Sequence, residues 1–156
     1  MNLLDELVAI TVKLDAEKIP YALCGGLAMA VYALPRATLD IDLMIELDSL
    51  TRVRRAMREI GYSLAAEPME FQQGKVQIYR LCKIDPDSAE EFVLDLLIVT
   101  PETMSAWKSR QEIEWKEGRL VVVSPEGLIA LKSLRKSGQD NDDIKYLRSI
   151  VDENKD

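Results

Sequence analysis

The stretch Tyr21-Ala22-Leu23-Cys24-Gly25-Gly26-Leu27 and, thirteen residues after Gly26, the tetrapeptide Asp40-Ile41-Asp42-Leu43 decide how the chain is read. Tyr21 to Cys24 predicts a short strand, Gly25 and Gly26 a turn, and the apolar run Leu27 to Leu34 a short buried helix that Pro35 stops. Asp40 to Leu47 alternates in character as a strand does. Residues two apart on a strand share a face, so Asp40 and Asp42 present paired carboxylates while Ile41, Leu43 and Ile45 enter the core. Two like charges this close resist joint ionisation unless a cation holds them. Magnesium, or manganese in its place, suits such a pair, because it takes oxygen from one or two carboxylates together with substrate phosphates. A glycine turn that opens a helix aims backbone N–H groups at an anion; a simple tight turn is the plainer account of the same two glycines.

Asp95 supplies a third carboxylate. It sits inside Phe92-Val93-Leu94-Asp95-Leu96-Leu97-Ile98-Val99, whose apolar residues on both faces predict a central strand. An acid there needs a partner. If this strand lies beside the Asp40-Asp42 strand, three carboxylates converge as a two-metal phosphoryl-transfer site requires; otherwise Asp95 pairs with a buried Arg or Lys.

Around these segments the pattern is mixed. Leu3, Leu4, Leu7, Val8 and Leu14 predict an amphipathic first helix ending before Pro20. Asp48 and Ser49 can cap a helix over Leu50 to Ile60, with Gly61 at its C-terminal end. Val76 to Ile84 reads as a strand joined to the Asp95 strand by Asp85-Pro86-Asp87-Ser88. Pro101 opens a helix, Ile113 to Trp115 and Leu120 to Val123 flank a Glu117-Gly118 turn, and Ser124-Pro125-Glu126 starts a helix to about Lys136, before a last helix through Ile144 and Leu147. No repeat or linker divides the chain, so residues 1–156 read as a single domain of mixed α/β (α+β) class. The expected architecture is a twisted mixed sheet of about four to six strands, with helices chiefly on one face and the C-terminal helices closing a cleft.

Composition narrows the chemistry. The chain has no histidine, which removes Ser-His-Asp hydrolysis, imidazole acid–base chemistry and His-ligated metals, but leaves carboxylate sites for hard metals. With 20 Lys plus Arg against 27 Asp plus Glu, the net charge of −7 argues against nonspecific nucleic-acid binding through overall charge. Arg52, Arg54, Arg55 and Arg58 form a local basic helix face, either solvated or able to receive RNA. Cys24 and Cys82 read as two buried thiols in a reducing cytosol. The acidic start at Asp5 and Glu6 is unlike a signal peptide, and no apolar run approaches a membrane span, so a soluble cytoplasmic protein with no membrane partner is expected.

As a set, Gly25-Gly26, Asp40-x-Asp42 and Asp95 resemble the nucleotidyltransferase superfamily that includes DNA polymerase beta, with its glycine pair, two strand carboxylates and later third acid. Arg36-Ala37-Thr38-Leu39-Asp40-Ile41-Asp42-Leu43 is similar to the Arg-x-Ser/Thr-x-Asp-Ile-Asp-Leu signature of the AbiEii-type nucleotidyltransferase toxins. Lys132, Arg135, Asp140, Asp143 and Ile144 resemble that family's helical Lys and Asp-x-x-Asp-Ile motif. The resemblance implies that Asp40, Asp42 and Asp95 are catalytic and bind metal, with Asp95 completing the site or activating the acceptor hydroxyl. It implies nucleotide contacts from Gly25, Gly26, Arg36 and Thr38, and a triphosphate contact from Lys132. Alone, Lys132 is a snorkelling surface residue and Asp140 and Asp143 are helix-capping charges. Leu27 stands where many superfamily members carry serine.

The expected function is transfer of a nucleoside monophosphate from a nucleoside triphosphate to a hydroxyl on RNA, protein or a small molecule, with Mg2+ or Mn2+ as cofactor. A toxin–antitoxin partner is part of that expectation. The alternative is a degenerate domain of the same fold that binds nucleotide or a protein partner without turnover.

Overall fold

Asn2 starts the first helix with a capping box: its side-chain oxygen accepts from the Asp5 backbone N–H at 2.8 Å, and the Asn2 N–H donates to the Asp5 carboxylate. This helix, α1 (Leu3–Ala16), buries Leu7, Ile10 and Leu14 on one stripe. The computed structural model describes residues 2–32, 40–135 and 138–154. Arg36 and Thr38 lie outside the described residues, as does the side chain of Asp140.

The strands are β1 (Ala22–Cys24), β2 (Asp40–Ile45), β3 (Leu64–Ala65), β4 (Met69–Phe71), β5 (Val76–Ile84), β6 (Glu91–Ile98), β7 (Gln111–Trp115) and β8 (Gly118–Val122). The remaining helices are α2 (Gly25–Val31), α3 (Leu50–Glu59), α4 (Met104–Lys108), α5 (Pro125–Arg135) and α6 (Gly138–Asn154). Among the described residues, eight strands join one mixed sheet in the order β3-β5-β6-β2-β1-β8-β7, with β4 also paired to β5. Parallel pairing joins β2 to β6 and β1 to β8; the other pairs are antiparallel. The sheet therefore exceeds the expected four to six strands by β3 and β4. Each is only two or three residues long and largely exposed, too short and too wet to carry an alternating pattern.

The two faces are distinct. Ile41, Leu43 and Ile45 of β2 register with Leu94, Leu96 and Ile98 of β6, all fully or almost fully buried. On this side α1 reaches the sheet, and its Glu6 bonds Lys83 of β5. The opposite face carries Asp40 and Asp42, and α5 and α6 close over it. Tyr146 of α6 donates to the Tyr32 carbonyl at the end of α2, and Tyr32 donates to the Val123 carbonyl after β8.

Helix α3 begins differently from expectation. Leu47–Ser49 forms a single 3-10 turn, Ser49 already has helical dihedrals, and its side chain makes no capping bond. The turn itself feeds the helix. Its end is as the glycine predicts: Gly61 has φ +104°, its N–H donates to the Arg58 carbonyl, and the Tyr62 N–H donates to that of Met57, a Schellman closure. Along α3, Arg52, Arg55 and Arg58 face solvent, and Arg52 donates to the Glu17 carbonyl at 2.7 Å. Pro101 opens only a turn, and α4 follows from Met104 because the Thr103 hydroxyl accepts from the Thr100 N–H at 2.8 Å and holds the turn closed. Cys24 is buried, Cys82 half-buried, and neither is in a disulfide. No helix among the described residues is long and apolar enough to cross a membrane.

Candidate active site

Strand register assembles the site. Cys24 of β1 stands opposite Asp42 of β2, Asp42 opposite Asp95 of β6, and Asp95 opposite Arg80 of β5. Registered residues share a face and neighbouring strands lie about 4.8 Å apart, so the four form one row across the sheet. Asp40 lies on the same face, in the next row with Val93 and Cys82. The β2–β6 pairing that would bring the three acids to one face is therefore present.

Gly25 fits against this row from the end of β1. Its φ is +68°, and a Cβ there would come within 2.7 Å of the Asp42 carboxyl carbon. Both the left-handed backbone and the contact require glycine. Gly25 and Gly26 are the first residues of α2 itself and not a separate turn before it, and the missing Gly25 side chain lets the start of α2 close on the Asp42 carboxylate.

Asp95 is held by Arg80: Nε and Nη2 of the guanidinium donate to the two carboxylate oxygens at 2.8 and 3.0 Å. Arg80 Nη2 also lies 4.0 Å from an Asp40 oxygen. The bond to Asp95 lifts the guanidinium pKa further above its ordinary value. Burial first, and then the Asp95 charge, push the Asp40 carboxyl above its ordinary range, with Arg80 acting in the opposite direction. Among the described residues no group of three or more His, Cys, Asp or Glu side chains stands in metal-holding geometry. The acids share a face, but one of them is turned onto an arginine.

Lys132 reaches the same space from α5. Its ammonium lies 3.0 Å from a carboxylate oxygen of Asp143 on α6, and both side chains are largely buried. Lys132 is therefore not a surface residue, and Asp143 is its partner rather than a cap. Gly25, Gly26, Asp42, Asp95 and Lys132 all line one pocket of about 290 Å³. Apart from Thr103 its remaining wall is largely apolar, with Ile78 and Leu97 from the sheet, Leu128 and Leu131 from α5, and Met29 from α2. Carboxylates on one side, an ammonium on another and an apolar wall between them make a concave site with few, convergent polar groups. Such a site can hold a ligand that is both anionic and partly apolar.

The alternative expected for Asp95, a pairing with an Arg or Lys, is met by Arg80, which the sequence analysis does not name. Its signal was available: counting outward from the Asp85–Ser88 turn, Arg80 is a cation in an otherwise largely apolar strand, on the hairpin partner of the Asp95 strand.

No protein-family model matches the chain, and no curated protein does. Solved structures do match. A candidate nucleotidyltransferase from Thermotoga maritima aligns over 98% of this chain and 96% of its own, with a TM-score of 0.60 at 17% identity. The antibiotic-resistance factor ANT(2'')-Ia, in complex with adenylyl-2''-tobramycin, aligns over 94% of this chain and 88% of its own, with a TM-score of 0.62 at 13% identity. JHP933 from Helicobacter pylori covers 90% of this chain and 62% of its own, with a TM-score of 0.51 at 22% identity. The chain shares the fold of these solved structures.

Proposed function

We propose that this chain transfers a nucleoside monophosphate from a nucleoside triphosphate to an acceptor hydroxyl. A bond forms between the acceptor oxygen and the α-phosphorus, the α–β phosphoanhydride bond breaks, pyrophosphate leaves, and the hydroxyl proton passes to a base at the site. The observation that carries this reading is the registered pair Asp42–Asp95 lining the same pocket as Lys132, Gly25 and Gly26. The fold shared with a candidate nucleotidyltransferase and with ANT(2'')-Ia supports it.

A divalent magnesium or manganese ion fits the donor set: Asp40 and Asp42 offer hard oxygen ligands on one face, and burial, followed by the nearby Asp95 charge, raises the cost of ionising Asp40. Bound there, the ion would supply charge neutralisation for the triphosphate and acidify the acceptor hydroxyl. The protein's own groups do the rest. Lys132, held beside Asp143, offers a point charge to a phosphate, and the Gly25 backbone approaches where a side chain would collide. The apolar wall of Ile78, Leu97 and Leu128 excludes water from the reacting groups and receives an uncharged part of the substrate. Asp95 orients or deprotonates the acceptor.

The acceptor is a hydroxyl of RNA, protein or a small molecule. The adenylylated aminoglycoside bound by ANT(2'')-Ia makes small polyhydroxylated acceptors the first to try. A test that separates binding from turnover compares wild type with Asp95→Asn at matched nucleotide saturation. The proposal expects comparable triphosphate affinity and lost transfer in the variant. Equal transfer by both would remove Asp95 from the reaction.

A further inference from the structure

Arg80 faces two of the acids at once. It sits at one end of the row Cys24–Asp42–Asp95, its fork takes both oxygens of Asp95, and the same Nη2 overlooks Asp40 at 4.0 Å. The Asp95 side chain is 10% exposed and that of Arg80 38%, so the acid is enclosed while the guanidinium reaches the surface. A two-point Arg–carboxylate bond fixes the plane of the acid as well as its charge. Each carboxylate oxygen has two acceptor positions, so the fork can orient Asp95 and still leave it a direction for a second bond.

Resting on the transferase reading, we propose that Arg80 is a positioning residue with two tasks: it sets the plane of Asp95, and it is a resident positive charge beside Asp95 and Asp40 against which a divalent cation must bind. The two tasks separate by chemistry. A methionine in its place keeps length without charge or fork, and a lysine keeps charge without the planar fork.

The test measures Mn2+ affinity of nucleotide-free protein by electron paramagnetic resonance, beside steady-state transfer, for wild type, Arg80→Met and Arg80→Lys, with folding checked by thermal melts. Removing a unit positive charge near the carboxylates strengthens Mn2+ binding in Arg80→Met by about tenfold, whereas Arg80→Lys stays within about twofold of wild type. Transfer kcat falls by roughly a hundredfold in Arg80→Met and tenfold in Arg80→Lys, while KM for the triphosphate moves less than about threefold. A purely structural arginine would lower the melting temperature and leave Mn2+ affinity unmoved; that result in folded Arg80→Met overturns the proposal. Tighter Mn2+ binding with unchanged kcat overturns the positioning task. Should Arg80→Met not fold, Arg80→Lys decides: a reduced kcat with unmoved Mn2+ affinity and KM supports the proposal, and wild-type kcat overturns it. Wild type that neither binds Mn2+ nor transfers ends the transferase reading and this one with it, an outcome distinct from active wild type with an indifferent Arg80.

Discussion

Strand β5 sends one cation to each face of the sheet, and the two meet opposite arrangements. Lys83 points toward α1, where the fully buried Glu6 carboxylate accepts from Lys83 at 3.1 and 3.3 Å and from the Tyr62 hydroxyl at 2.9 Å. Burial and the bond to Glu6 push the Tyr62 phenol far above its ordinary pKa, so it remains a donor. One acid, one base and one hydroxyl close on each other, away from the pocket. Three residues earlier, Arg80 faces Asp95 at bonding distance and Asp40 further off, beside Asp42 and a cavity of about 290 Å³. Here negative charge accumulates, and its cost shows in Asp40, raised by burial and by Asp95. The first arrangement is matched and sealed; the second, with like charges on one face beside a pocket, is the one that the proposed transfer would use.

The comparison can be broken most sharply at Asp42. Asp42→Asn should lower label transfer by about a thousandfold or more, with thermal melts run beside it to confirm that the variant is folded. Glu6→Gln should do the reverse. It should cost about 3 kcal/mol in urea unfolding, because Lys83 is left charged against a neutral partner, with kcat unchanged below the melting transition. If Glu6→Leu with Lys83→Met restores most of that loss, the pair is a matched one that apolar packing can replace.

Lys132→Ala comes next. It should weaken triphosphate binding by roughly tenfold and nucleoside binding far less, read by calorimetry with both ligands. Equal losses would make the Lys132–Asp143 pair purely a clamp between α5 and α6. The smallest effect is at Asp40. An acid whose folded pKa is raised above its unfolded value destabilises the fold when ionised, so Asp40→Asn should raise the melting temperature by about 1–3 °C at neutral pH. That gain is full above the raised folded pKa and disappears as pH falls below the unfolded value near 3.8. A gain that persists at pH 3 would assign it to something other than charge.

What could be read in advance was whatever depends on local periodicity. Alternation put Asp40 and Asp42 on one face, the apolar run around Asp95 marked an inner strand, and the turn at Asp85–Ser88 fixed the hairpin that joins β5 to β6. What stayed hidden depends on neighbours distant in sequence. The Lys132–Asp143 bond needs α5 to pack on α6, and the collision that fixes Gly25 needs Asp42 across a strand. Ser49 looked like a cap because its side chain can be one, but the preceding turn takes that place. Strands β3 and β4 gain their pairing from β5 rather than from their own residues.

The most direct test follows the α-phosphate itself. Wild-type protein would be incubated with each of the four α-labelled nucleoside triphosphates, Mg2+ or Mn2+, and pools of RNA, protein and small polyhydroxylated acceptors, with pyrophosphate measured alongside. The account predicts label in an acceptor with one pyrophosphate released per label, and neither product from Asp42→Asn at the same nucleotide saturation. Saturable triphosphate binding with no label transfer and no pyrophosphate release under all these conditions would contradict it.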